Sequence, residues 1–103
     1  MALPHLTSEQ RAEALEKATR ARRRRAEVKT QVKNRELRLS EVLDLAESDE
    51  AIAKMRVQSL LESLPRVGVT TAAALMEEYN IASTRRIRGL GHVQCEALVA
   101  RFG

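Results

Sequence analysis

The stretch Arg85-Arg86-Ile87-Arg88-Gly89-Leu90-Gly91 sets three cations directly before a glycine turn that opens a helix. Glycine lets a backbone approach a ligand closely, and the first N–H groups of a helix have no partner within it. Those amides, with the positive end of the helix dipole, form an anion site. Guanidiniums beside it pair with phosphate oxygens. A helix C-cap followed by an N-cap among solvated arginines is the plain alternative. The charge pattern of the whole chain favours the anion site, and a nucleic acid is the expected partner.

That pattern is segregated although the net charge is only +4. Residues 11–38 carry eleven Lys or Arg against four Glu, and residues 39–82 carry three basic against eight acidic groups. Residues 83–103 return to basic, with Arg85, Arg86, Arg88 and Arg101 against Glu96. A chain needing only solubility would mix its signs. Two basic ends about an acidic middle point instead to two anion-binding surfaces, with the middle expected to hold them apart.

At 103 residues there is room for one small core. Tyr79 and Phe102 are the only aromatics, which argues against a base-stacking single-strand binder. A single cysteine, Cys95, excludes an internal disulfide, fits a reducing cytoplasm and reads as buried filler. No apolar run approaches membrane-spanning length, and Met1–Leu6 lacks the basic and apolar regions of a signal peptide, so a cytoplasmic location is expected.

Thr7-Ser8-Glu9-Gln10 reads as a capping box that starts a helix over residues 8–34, about 40 Å long. Its apolar stripe of Ala14, Ala18, Ala21, Val28 and Val32 is weak, so its first half should project from the body. Arg22, Arg23, Arg24 and Arg25 then cover every face of one turn, either as a nucleic-acid surface or as a solvated arm. Ser40 is expected to cap a short helix carrying Val42, Leu43, Leu45 and Ala46. Ser48-Asp49-Glu50 restarts helix, and Ile52, Met55, Val57, Leu60, Leu61 and Leu64 give the densest helical pattern, ended by Pro65. Thr70 should cap the next helix, with Asn80 as its stop. The last should begin near Gly91 and pack through Val93, Leu98, Val99 and Phe102. No segment alternates as a strand does, and the fold class is all-α. The expected division is a basic helical arm, 1–38, and a body, 39–103.

Leu64-Pro65-Arg66-Val67-Gly68-Val69 weakly repeats the first stretch, setting Gly68 at a helix start as Gly91 is. Arg66 stands where a helix-hairpin-helix turn has glycine. With Lys54-Met55-Arg56-Val57, Leu60 to Gly68, the Met1-Ala2-Leu3-Pro4 opening and Arg85 to Gly91, the chain resembles actinobacterial integration host factors over its whole length. The resemblance implies a long N-terminal helix and a helix-two-turns-helix body, similar to that of a small-subunit ribosomal protein and some DNA repair glycosylases. It implies a nucleoid-associated protein that binds duplex DNA with little sequence preference, shapes the chromosome and assists phage integration. A monomer without a cofactor is expected, able to hold two duplexes at once. Its site residues would map onto Leu64, Pro65, Arg66, Val67, Gly68, Val69, Thr70 and Thr71, and onto Ser83, Thr84, Arg85, Arg86, Arg88, Gly89, Leu90, Gly91, His92 and Gln94. Val69 departs from the family's pattern, which carries lysine there.

Two other functions compete. RNA binding follows from the ribosomal likeness and the basic arm. An enzyme is disfavoured: Glu41, Asp44, Glu47, Asp49 and Glu50 are spaced as a solvated helical face, and His5 and His92 are far apart in sequence. Lys54 has no evident pocket for an extruded base. Gln94 is the one plausible base reader near the arginines.

Overall fold

The computed structural model describes residues 7–103; His5 and the rest of 1–6 lie outside the described residues. Six helices follow one another: α1 (Ser8–Lys33), α2 (Leu39–Ala46), α3 (Glu50–Ala53), α4 (Val57–Ser63), α5 (Val69–Glu78) and α6 (His92–Phe102). A 3₁₀ turn, Ile87–Gly89, precedes α6. The all-α class holds.

Helix α1 starts as its sequence dictates. The Thr7 hydroxyl accepts from the Gln10 N–H at 3.1 Å, and Gln10 Oε1 accepts from the Thr7 N–H at 2.9 Å. Asn34 ends it, and Arg35 takes a left-handed φ of 64° so that the Glu36 N–H returns to the Gln31 carbonyl at 2.8 Å. Every residue from Thr7 to Ala18 is exposed. Val28 and Val32 are fully buried, so the arm's second half belongs to the same core as the body. The expected division at 38/39 therefore cuts through a packed unit.

The core gathers Val28, Leu39, Val42, Ile52, Leu60, Leu61, Ala72 and Leu98 from all six helices. Helix α1 packs on α3 and α4, α2 on α3 and α6, and α4 on α5.

Three expectations need correction. Ser40 does not cap α2: the helix begins at Leu39, and the Ser40 N–H is satisfied by the Gly103 carbonyl at 3.1 Å. Thr70 does not cap α5, whose N-cap is Gly68. The pattern from Ile52 to Leu64 is two helices, because Lys54–Arg56 leaves the helix to form a single antiparallel bridge, Arg56 with Arg86. Val57 N–H donates to the Arg85 carbonyl at 3.0 Å and Ile87 N–H to the Met55 carbonyl at 2.9 Å. This extended step keeps Met55 buried while carrying Arg56 to the surface.

Candidate nucleic-acid interface

Two helix starts are built alike. Gly68 precedes α5 and Gly91 precedes α6; neither supplies a side-chain cap, so amides of both first turns stay open. Neither glycine is demanded by its backbone. Gly68 has φ −91°, and a Cβ there would meet nothing within 4 Å. A Cβ on Gly91 would find only Gln94 Oε1, at an ordinary 3.5 Å. The missing side chains leave room at the surface for a ligand rather than for a neighbour in the fold.

Gly89 differs. A Cβ there would lie 2.9 Å from Arg85 Cδ, because Arg85 folds back over the turn and its Nη1 donates to the Gly89 carbonyl at 3.0 Å. Arg86 is pinned as well, its Nη1 donating to the Lys54 carbonyl at 3.0 Å. Each guanidinium keeps further donors for an anion. Ser83, Thr84, Arg88 and Gly89 are exposed beside them, Leu90 is half-buried, and Ile87 anchors the turn in the core. In the first turn Leu64 is buried and Pro65 and Val67 are half-buried, while Arg66, Gly68, Val69, Thr70 and Thr71 are exposed. Arg66 holds φ 66°, the left-handed backbone for which glycine is usual at this place in the turn.

One cation was missed by the reading of the sequence. Arg56 faces Arg86 across the bridge, and its exposed side chain joins the cluster. No local signal marks it, since its partner lies far along the chain. Near the other end of the 3₁₀ turn, Glu50 is bound by Lys54 Nζ at 2.9 Å. Lys54 foremost, then Lys17 from the arm and Arg88 from the turn, hold the Glu50 carboxyl below its usual range. Lys17 of the arm and Arg88 of the turn thus both contribute to the positive field at Glu50.

Of the four consecutive arginines, Arg22 and Arg23 are exposed. Arg24 Nε instead donates to Asp49 Oδ2 at 2.9 Å, and Arg25 Nη1 to the Ala51 carbonyl at 3.3 Å. Those two seat the arm on α3. Gln94 is likewise engaged: its Oε1 accepts from the Gly91 N–H at 3.0 Å, and its Nε2 donates to the Asn80 carbonyl at 3.1 Å and the Tyr79 carbonyl at 3.3 Å. It clamps α6 to the end of α5, and the base-reading role finds no free amide. His92 lies 2.8 Å from Glu96 on an exposed face. Val93, expected in the core, is 77% exposed. Cys95 is half-buried, and burial pushes its thiol up.

Among the described residues no three His, Cys, Asp or Glu side chains are grouped to hold a metal, and no helix is long and apolar enough to cross a membrane.

Residues 32–102 match the S13-like H2TH (helix-two-turns-helix) domain family. The chain is 56% identical over 103 residues to an integration host factor of Mycobacterium tuberculosis, covering 100% of this chain and 98% of the relative. It is 52% identical over 103 residues to an integration host factor of Streptomyces coelicolor, covering 100% and 96%. Among solved structures it is similar to sIHF bound to an 8bp palindromic DNA, with TM-score 0.83 and 46% identity over 85% of this chain and 99% of that one. With relatives this similar over its whole length, the chain belongs to the actinobacterial integration host factor family.

Proposed function

We propose that this protein is a nucleoid-associated factor, not an enzyme, that binds duplex DNA with little sequence preference. The observation that carries the reading is the pair of uncapped, glycine-led helix starts flanked by Arg56, Arg85, Arg86 and Arg88, in a chain similar to one solved on DNA. Open amides and guanidiniums recognise phosphates and carry no base code. The nearby Gln94 amide is bound within the fold, which favours sequence-blind binding.

A single chain engages one duplex through the turns, and Arg22 and Arg23 on the arm offer a second contact, to the same duplex or to another. Such binding compacts the chromosome in the cytoplasmic nucleoid and brings recombination sites together.

The test is salt dependence. Changing Arg85, Arg86 and Arg88 together to Ala should flatten the slope of log affinity against log salt by about two to three, at about 0.9 per phosphate contact. An unchanged slope with intact helicity would refute the assignment. Random and AT-rich duplexes should bind within about tenfold, against the 10³ or more of specific regulators. RNA binding, the second reading, draws on the S13-like domain match; tighter binding to duplex RNA than to duplex DNA would favour it.

A further inference from the structure

Among the described residues three that are not glycine hold a left-handed φ: Arg35 at 64°, Arg66 at 66° and Asn80 at 56°. Asparagine visits that region readily, because its short amide bonds to the local backbone. Arginine gains nothing there, and glycine would sit without strain at both places. Arg35 follows the cap of α1, where glycine is the usual residue, and Arg66 stands in the first glycine turn. Strained positions of this kind collect where a side chain meets a ligand.

The fold brings the two places together. Arg35 and Arg38, on the loop from α1 to α2, line one cavity of about 320 Å³ with Leu64 and Pro65, which lead into Arg66. Its floor is apolar and includes Val32 and Leu39. All three arginines are exposed, and among the described residues none of them makes an ion pair. Glu41 turns instead to the Arg38 backbone N–H, at 3.0 Å. Cations gathered without a counter-charge repel one another, and a shared anion relieves that cost.

We infer that Arg35 and Arg38 form a further phosphate-binding site, which carries the DNA interface from the first glycine turn onto the loop between α1 and α2. This rests on the reading of that turn as a duplex contact. Each guanidinium pairs with a backbone phosphate through its forked N–H groups. Such contacts add affinity and position the duplex without reading its bases.

The experiment titrates salt against binding of the full chain to duplex DNA. Arg35→Gly combined with Arg38→Ala should flatten the slope of log affinity against log salt by about two, at about 0.9 per phosphate contact. Because glycine relieves the left-handed backbone, this variant should melt no lower than wild type. Arg35→Lys combined with Arg38→Lys keeps both charges and should keep the wild-type slope. A wild-type slope in the first variant, a lysine pair as impaired as that variant, or a lowered melting temperature in the first variant overturns the inference. Gly68→Ala, measured alongside, tests the turn itself. Undiminished affinity in Gly68→Ala, with the slope still flattened in the arginine variant, would overturn the reading of the turn and leave the arginine site standing.

Discussion

Arg56 and Arg86 face each other as an antiparallel pair whose flanking residues exchange the hydrogen bonds, Val57 N–H to the Arg85 carbonyl and Ile87 N–H to the Met55 carbonyl. In that register the two Cα atoms approach to about 4.5 Å and the side chains lie side by side. Like charges so placed repel. The arrangement makes sense if an anion sits between them. Arg56→Ala should therefore stabilise the free protein slightly, by about 0.2–1 kcal/mol in urea unfolding. The same change should flatten the salt slope of DNA binding by about one. A variant that loses stability and keeps its salt slope would mark Arg56 as structural.

The seat of the arm depends on acid conditions through Asp49. Its carboxyl caps α3, accepting from the Ala51 N–H at 3.0 Å, and binds Arg24 at 2.9 Å. The Arg24 hydrogen bond, aided by backbone N–H groups and opposed by burial, holds Asp49 below its usual range. A lowered folded pKa adds stability that is complete above the unfolded value, about 3.9, and is lost as pH falls through the folded one. Asp49→Asn preserves the cap and removes the charge, so its unfolding free energy should fall less steeply below pH 4 than that of wild type. Asp49→Ala, which also removes the cap, should cost about 1–2 kcal/mol at neutral pH.

Gly68 offers a substitution that separates folding from binding. With φ −91° and nothing within 4 Å of a Cβ, Gly68→Ala fits the fold. It should leave stability unchanged or raise it by about 0.4–1 kcal/mol, through loss of unfolded-state freedom. The new methyl would stand where a phosphate approaches, so DNA affinity should fall in a gel-shift or anisotropy titration. Undiminished affinity would remove the first turn from the interface.

Gln94 is expected to matter for the frame of the site rather than for contact. Gln94→Ala strips the acceptor from the Gly91 N–H and the donors from the Tyr79 and Asn80 carbonyls at once. Thermal unfolding should show a loss of about 1–2 kcal/mol for these hydrogen bonds. Relative affinities among duplexes of different sequence should not change, because the amide is already engaged within the fold. A shift in sequence preference would show the opposite.

Several elements were legible in the order of residues. Thr7 and Gln10 start α1, Asn80 takes φ 56° just beyond α5, and Gly91 leads α6. These signals act within one turn of the helix they bound, so neighbours in sequence suffice. The clustered Arg85, Arg86 and Arg88 and the two glycine turns were legible for the same reason. Tertiary structure alone decided what needed a distant partner. Met55 and Arg56 fit a helical pattern as well as an extended one, and only pairing with Arg85 to Ile87 breaks the helix there. Ser40 looks like a cap until the Gly103 carbonyl takes its N–H, and Gln94 looks free until α5 ends beside it. Val93 fits an apolar stripe, yet at the second position of α6 it lies beyond the edge of the core and stays in water. The segregation of charge along the chain is legible as composition, whereas how near the two basic ends lie depends on α3, which packs against both the arm and the 3₁₀ turn.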